Sequence, residues 1–288
     1  METLSKVDDI MWLSPSSIND WFKCPHYFFK SHIEKVPMKK TIHLVKGTVV
    51  HNSLEKWFME YTDDLVKGME DIFNREWEIN PELKDLKLPD EELVMHKKDA
   101  WNIVTKFVTR HLDKIEGIID AGKAENYRHA WYLLRPKLNE VKLEVPEMKV
   151  RGRADRVYTD FDGIVTLGDY KTSNRYGIGM TSDQRRQIAT YAFMYLEQHK
   201  PPLHFVSIIF LRFGEEPMLE VTPGLIKFGR DTILQVREKT MSRNIDDYPK
   251  KLSSNCQNCA LLEFCSGAEE FVSKIRKEKF KKLADKLK

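Results

Sequence analysis

Residues 141–172, VKLEVPEMKVRGRADRVYTDFDGIVTLGDYKT, constrain the fold of this chain more than any other stretch. Apolar and polar residues alternate there with the period of two that is typical of β-strands. A three-residue hairpin loop over 161–163, with Gly163 in the left-handed conformation, would pair two antiparallel strands so that Asp155 faces Asp169. Lys171 follows two residues later, and therefore lies on the same face as Asp169. The stretch predicts a hairpin that carries two acids and a lysine on one face.

The facing carboxylates of Asp155 and Asp169 repel each other and destabilise a hairpin unless a cation lies between them. Mg²⁺ and Mn²⁺ bind carboxylate oxygens and keep water ligands, and a neighbouring ammonium group such as that of Lys171 can orient a water as a nucleophile. The pattern therefore indicates metal-dependent hydrolysis of a phosphodiester. The alternative is an exposed hairpin face with ordinary surface charges, and the position of Asp155 inside GRADRV favours the metal site.

The four cysteines indicate a second metal site. CQNCALLEFC contains Cys256, Cys259 and Cys265, and Cys24 lies near the other end of the chain in WFKCPHYFF. A CxxC pair followed by a third cysteine leaves a tetrahedral sulfur site one ligand short, and Cys24 is the remaining cysteine. Four thiolates suit either zinc or an iron–sulfur cluster, and spacing alone does not separate the two. The alternative is a set of unrelated buried cysteines.

The composition is that of a folded intracellular protein. Of 288 residues, 41% are hydrophobic and 32% are charged, which is enough apolar material for one large domain. No stretch approaches the ~20 consecutive apolar residues of a membrane helix, and the first residues lack the pattern of a secretory signal. We therefore expect a cytoplasmic protein with no membrane partner, in a compartment that keeps thiols reduced. The net charge of +3 does not by itself indicate a nucleic-acid partner.

Hydrophobic periodicity places helices on both sides of the hairpin. Residues 14–33 predict a helix interrupted at Pro25, and GTVVHNSLEKWFMEYTDDL predicts the next helix. A charged helical pattern continues to about residue 140, and the hairpin is followed by the helix SDQRRQIATYAFMYLEQH, two strands and two helices. The predicted fold is α/β, with a mixed central sheet flanked by helices. Its predicted segments are N-terminal helices (1–62), a helical insertion (63–140), a core (141–250) and a cysteine loop with a C-terminal helix (251–288).

The motifs and their order resemble those of the PD-(D/E)XK nucleases. Asp155 in GRADRV and the DYK of GDYKTS (169–171) look like the metal and catalytic motifs of that superfamily. QIATY (187–191) is similar to the helix signature that follows them in the RecB-type branch. LSPSSINDWFKCPHYFF resembles the N-terminal helix of the same branch, and His51 in GTVVHNSLEKW matches its upstream histidine.

The cysteine spacing is similar to that of the AddB nuclease domain and of CRISPR-adaptation nucleases, in which it binds a [4Fe–4S] cluster. The resemblance therefore implies such a cluster in place of zinc. It also implies a restriction-endonuclease-like core. The spacing of the cysteines itself indicates that their site ties the N-terminal helix to the C-terminal segment. The resemblance does not extend over about residues 63–140.

The same resemblance implies a role for each matched residue. Asp155 and Asp169 would hold Mg²⁺ or Mn²⁺, with the carbonyl oxygen of Tyr170 and the imidazole of His51 as further ligands. Lys171 would position the attacking water or stabilise the charge that develops on the phosphorane.

Other residues near these motifs are further candidates. Gln187 and Tyr191 are four residues apart and so share a helical face, where Gln187 would orient Lys171 and Tyr191 would meet a phosphate or base. Core packing is the alternative for Tyr191. Glu144 in KLEVPE is a candidate carboxylate behind the first ligands or on a second metal, with an ordinary strand acid as the alternative. Candidates for contact with the DNA backbone are Arg175, Tyr176, Arg185 and Arg186.

The predicted function is that of a metal-dependent DNA exonuclease that acts on single strands or DNA ends. A helicase or recombination factor is the expected protein partner, and DNA repair, recombination and CRISPR adaptation all fit as its task. The alternative is a non-catalytic factor that binds DNA ends or supports assembly, with zinc in the cysteine site; the complete set of acids with Lys171 argues against it. A site-specific endonuclease would need a sequence-reading module, which the sequence does not reveal.

Overall fold

The computed structural model describes residues 10–38, 40–173, 179–199 and 202–286. These residues form two compact units. One is Lys40–Thr232, and the other combines Met1–Lys39 with Ile233–Lys288. The first unit contains the hairpin with its acids, and the second contains all four cysteines. The division of the chain into four segments stays a prediction.

Helices precede and follow the strands along the chain. The helices are α1 (Pro15–Lys23), α2 (Pro25–Phe28), α3 (Ile42–Trp57), α4 (Leu65–Ile79), α5 (Pro81–Asp85), α6 (Asp90–Asp120), α7 (Tyr127–Leu134), α8 (Ser182–Gln198), α9 (Pro223–Lys239) and α10 (Ala268–Lys286). The strands are β1 (Leu138–Val145), β2 (Val150–Thr159), β3 (Val165–Lys171), β4 (Phe205–Phe210) and β5 (Met218–Glu220). Within the described ranges, these helices lack the combination of length and apolar content that crossing a membrane requires.

The five strands form one mixed sheet in the order β1-β2-β3-β4-β5. β3 and β4 are parallel and are connected through α8, whereas the other neighbouring strands are antiparallel. A parallel pair needs a crossover connection of this kind, because the chain must return to the same end of the sheet. The predicted α/β class with a mixed sheet flanked by helices is confirmed.

The hairpin between β2 and β3 has the predicted register. Asp160 donates its N–H to the carbonyl of Ile164 at 3.1 Å, and Gly163 has a φ of 81°, in the left-handed region that favours glycine. The strands then pair from Thr159–Val165 to Arg156–Gly168, where the pairing ends. Asp155 and Asp169 are the next residues on each strand, so they lie where the two strands part.

A layer of helices covers one face of the sheet. The predicted helical segment 63–140 forms α4 to α7, and β1 begins within it at Leu138. Trp57, Phe107 and Trp131 are buried in one apolar cluster with Tyr170 of β3. Because Tyr170 alternates with Asp169 and Lys171 along the strand, these two side chains point to the opposite face.

That opposite face is covered by α8. Ile188 and Ala192 of this helix are fully buried, and the helix packs against β1 to β4. α9 approaches α8 closely at Gly229, where an added Cβ would lie 2.2 Å from the carbonyl oxygen of Ala189. α8 is thus held firmly over the strand ends that carry the acids.

The second unit is built around an aromatic core. Ser14 caps α1, and the chain becomes extended at Cys24 before Pro25 begins α2, which confirms the predicted interruption. The ring of Tyr248 is buried and packs within 5.5 Å of Trp21 and 4.7 Å of Phe29. This packing joins the N-terminal helices to the part of the unit that precedes the cysteine loop.

Candidate metal centre

Asp155 occupies the point at which β2 and β3 part. Hydrogen-bonded pairs recur at every second residue of an antiparallel ladder, so the Tyr170 N–H would next bond to the carbonyl of Ala154. It donates instead to Oδ2 of Asp155. The other oxygen, Oδ1, lies 3.2 Å from Nδ1 of His51. One carboxylate therefore satisfies a strand amide and also contacts an imidazole on α3.

His51 is held between that carboxylate and an aromatic ring. Its imidazole lies edge-on to the ring of Tyr170, with 5.8 Å between the centroids. Burial lowers the pKa of His51, but the carboxylates of Asp155 and Asp169 outweigh burial, so that the pKa is raised above its ordinary value. The two carboxylates therefore favour positive charge at the position of this half-buried ring.

Glu140 completes a group of three candidate ligands. It lies opposite Asp155, between the paired residues Asn139–Arg156 and Val141–Ala154 of β1 and β2. Ligand atoms of His51, Glu140 and Asp155 all lie within 4.8 Å of one another. The φ of Glu140 is 48°, a conformation that costs a non-glycine residue on the order of 1–3 kcal/mol.

Glu140 is a partly buried carboxylate with other carboxylates near it. Burial and the nearby carboxylates of Asp155 and Glu55 raise the pKa of Glu140 to about 7. The nearest cation that contacts it among the described residues is Arg153, whose Nη1 lies 3.4 Å from Oε2. Glu140 therefore combines a strained backbone conformation with the repulsion of neighbouring carboxylates.

The structure does not bring Glu144 to this group, which corrects the sequence interpretation. Glu144 pairs with Arg151 and is exposed. It lies four residues along β1 from Glu140, about 13 Å at the rise of a strand. This position favours the alternative of an ordinary strand acid for Glu144. Glu140 was not singled out because the register between β1 and β2 could not be read from a turn, as it could for the hairpin.

Asp169, Lys171 and Gln187 form a second set of contacts beside the first. The amide of Gln187 donates to Oδ1 of Asp169 at 2.9 Å and accepts from Nζ of Lys171 at 2.9 Å. Nζ also lies 2.6 Å from Oδ2 of Asp169. The ammonium charge of Lys171 therefore holds this buried oxygen. The sequence predicts that Gln187 orients Lys171; the two side chains are in contact, and the orienting role stays a prediction.

Asp169 is a buried acid, and its two oxygens contact Gln187 and Lys171. Burial raises its pKa and the Asp155 carboxylate adds to the rise, against the opposing effect of Lys171. Asp169 is not part of the three-ligand group in the described chain, because its carboxylate is turned toward Lys171. Its role as a metal ligand, like that of the Tyr170 carbonyl, stays a prediction.

Tyr191 is near these residues but does not face solvent. Its ring is buried, and its hydroxyl donates to the carbonyl of Arg153 at 2.7 Å. This contact supports the sheet and favours the core-packing alternative. Arg185 is exposed on α8, and Arg186 pairs with Asp183. Arg175 and Tyr176 lie outside the described residues.

The donor set fits a hard divalent ion. An imidazole nitrogen and two carboxylates, with the carboxylate of Asp169 nearby, suit Mg²⁺ or Mn²⁺, and the nitrogen favours Mn²⁺. The carboxylates of Glu140, Asp155 and Asp169 repel one another, which contributes to the raised pKa values of Glu140 and Asp169, and a divalent cation would offset this repulsion. The predicted site at the hairpin therefore matches the chemistry of the residues that meet there.

The four cysteines line one cavity of about 300 Å³ in the second unit. The sulfur of Cys24 accepts the N–H of Lys251 at 3.5 Å, and that of Cys256 accepts the N–H of Ser253 at 3.4 Å. All four thiols are free, and within the described ranges no three of their sulfurs lie within 4.8 Å of one another. The cavity is thus shared by the four cysteines without a tight sulfur group.

Comparison with known proteins gives a family match and several similar solved structures. The family model described as the PD-(D/E)XK nuclease superfamily matches residues 12–266. No curated protein is significantly similar to the chain. A candidate exonuclease from Eubacterium rectale is 13% identical, with 89% of this chain and 91% of that chain covered and a TM-score of 0.47. The protein SSO0001 is 12% identical, with 78% and 97% covered and a TM-score of 0.29. Both TM-scores are below 0.5, so the family of this chain is assigned from the family model and not from these structures.

Glu140 and Glu144 offer a matched test of the metal group. Glu140→Gln keeps the size of the side chain and removes one anionic ligand, so we expect the affinity for Mn²⁺ to fall at least about tenfold. Glu144→Gln removes a charge from the same strand outside the group, and its affinity should equal that of the wild type. Isothermal titration of Mn²⁺ into each protein measures the difference. Equal affinities for wild type and Glu140→Gln would show that Glu140 is not a ligand.

Proposed function

We propose that this chain, which belongs to the PD-(D/E)XK nuclease superfamily, hydrolyses phosphodiester bonds of DNA with Mg²⁺ or Mn²⁺ as an exonuclease. The observation that carries the proposal is the meeting of His51, Glu140 and Asp155 beside the contact between Lys171 and Asp169. Carboxylates and an imidazole in this number would be costly to bury without a cation. A lysine beside such an ion has a clear use in the hydrolysis of an anionic diester.

The roles of the residues follow from their contacts. His51, Glu140, Asp155 and Asp169 would hold the ion, which supplies charge neutralisation at the phosphate and a water of lowered pKa. The ammonium group of Lys171 is held beside this site because it donates a hydrogen bond to the amide oxygen of Gln187. There it can orient the attacking water or stabilise the extra negative charge of the transition state. Gln187 acts through Lys171 and Asp169, and is therefore a positioning residue.

A preference for single strands or ends, and action together with a helicase or recombination factor, rest on the resemblance of the motifs to the RecB-type branch. The same holds for a task in DNA repair or recombination. Free cysteines agree with a chain that works in the reducing cytoplasm. These finer assignments belong to the proposal as a whole.

For the cysteines we propose a [4Fe–4S] cluster with a structural role. Around zinc, with bonds of about 2.3 Å, four sulfurs would lie about 3.8 Å apart. The described cysteines share one cavity but include no three sulfurs within 4.8 Å. In a cluster each thiolate binds a different iron, so the sulfurs lie further apart than around one ion. The shared cavity supports one common site for the four cysteines, and the choice of the cluster over zinc rests on the resemblance of the motifs.

Lysine substitutions test the catalytic proposal. Lys171→Ala removes the ammonium group beside the reacting phosphate, and we expect cleavage of end-labelled DNA with Mn²⁺ to fall by about 10²–10³-fold. Lys142→Ala removes an exposed lysine of β1 and should cleave at the wild-type rate. Thermal unfolding of both variants serves as the control for folding. A wild-type protein that binds DNA ends and cuts none of them would instead establish the non-catalytic alternative.

The cluster is tested by the metal content of anaerobically purified protein. Wild type should contain iron and sulfide and show broad visible absorption, whereas Cys24→Ser should lose most of both. Cys24 and Cys256 are more than 200 residues apart, so a shared cluster removes conformational freedom of the unfolded chain on the order of 5 kcal/mol. Cys24→Ser should therefore also unfold at a lower temperature. Stoichiometric zinc in a colourless active protein would overturn the cluster.

A further inference from the structure

A groove of about 550 Å³ in the unit Lys40–Thr232 has an aromatic and apolar wall. Tyr132 lines it with 48% of its surface exposed, together with the exposed side chains of Met59 and Leu133. Pro136 also lines the groove. Half-exposed aromatic faces in a groove are places where a planar group can stack.

Two tyrosines and two arginines form a stack, and its members Tyr132 and Arg135 line the groove. The guanidinium of Arg128 lies over the ring of Tyr61 at 4.9 Å, and that of Arg135 lies over the ring of Tyr132 at 4.6 Å. The two tyrosine rings are 6.5 Å apart and inclined by 30°. The guanidinium group over each ring holds that ring in place, and 48% of the Tyr132 surface remains exposed.

The charge of the groove is positive. Arg135 and Lys137 line it, and no Asp or Glu does so among the residues that the structure describes. Arg128 contacts Asp63 at 3.6 Å, but Asp63 is 91% exposed and this surface ion pair neutralises the arginine weakly. An occupant that is planar in part and negatively charged in part would complement both features.

The groove lies at the far end of the elements that carry the candidate metal ligands. Phe58, which lines it, follows His51 by seven residues on α3 and its last turn, about 10 Å at the rise of a helix. Thr159 follows Asp155 by four residues on β2, about 13 Å at the rise of a strand. A nucleic-acid strand that runs from the metal group along these elements would reach the groove within a few nucleotides.

We propose that this groove is a stacking platform for unpaired nucleotides of the strand under cleavage. A base stacks against the exposed part of the Tyr132 ring, which Arg135 holds from one side, and the charges of Arg135 and Lys137 attract the neighbouring backbone phosphates. Bases in the interior of a duplex are stacked on each other and offer no face to a side chain, so the platform favours a single strand. The inference rests on the proposed nuclease function, because it assigns the strand to a site next to the metal group.

Tyrosines of α7 provide a matched test. Tyr132→Ala removes the stacking face, Tyr132→Phe keeps it, and Tyr127→Ala removes a tyrosine that is similarly exposed (43%) on the same helix but does not line the groove. Binding of a short fluorescein-labelled strand with cleavage-resistant phosphorothioate linkages, and of the matching blunt duplex, is followed by fluorescence anisotropy. We expect Tyr132→Ala to weaken binding of the single strand at least about fivefold and to leave duplex binding unchanged. Tyr132→Phe and Tyr127→Ala should bind both as the wild type does.

Hydrolysis of bis(p-nitrophenyl) phosphate, a diester without bases, separates this inference from the proposed function. Wild type and Tyr132→Ala should hydrolyse it equally with Mn²⁺, because the platform does not touch the reacting phosphate. Failure of the wild type to hydrolyse this diester or DNA would count against the nuclease, and the binding measurements would still decide the platform. Equal affinity of wild type and Tyr132→Ala for the single strand, or no binding of it by the wild type, would overturn the platform.

Discussion

The carboxylate of Asp155 is the interaction on which the arrangement of the site depends. One of its oxygens accepts the amide of Tyr170 in β3, and the other contacts His51 on α3. Because the amide is satisfied by a side chain, the two strands can part after Arg156–Gly168 without leaving a buried donor unpaired. The parting opens the space in which His51, Asp169 and Lys171 meet. Asp155 thus has a structural task that is inseparable from its proposed chemical one.

The site gathers carboxylates whose mutual repulsion a bound cation would relieve. Burial and the nearby carboxylates raise the pKa of Glu140 to about 7, and burial and the Asp155 carboxylate raise the pKa of Asp169. A divalent ion among these acids would offset the repulsion, whereas the left-handed backbone of Glu140 keeps its cost with or without an ion. The packed layers on both faces of the sheet supply the stability that this arrangement requires. Strain and buried charge concentrated at one point are typical of functional sites.

The sequence predicted those parts of the molecule that depend on local rules. Period-two alternation and a left-handed Gly163 were enough for the register of the hairpin, and Pro25 was enough for the break after α1. Glu140 was missed because its position depends on the pairing of β1 with β2, which are joined by a turn without a clear hairpin signature. The groove around Tyr132 was missed because it is formed by side chains from distant helices and strands that no motif connects.

The central claim, that His51, Glu140 and Asp155 form one divalent-ion site, is tested most directly by anomalous diffraction from crystals of the protein grown with Mn²⁺. The account predicts an anomalous peak within bonding distance of the His51 imidazole and of carboxylate oxygens from Glu140 and Asp155. A Mn²⁺ ion bound elsewhere, with these three side chains left as they are in the metal-free structure, would contradict it.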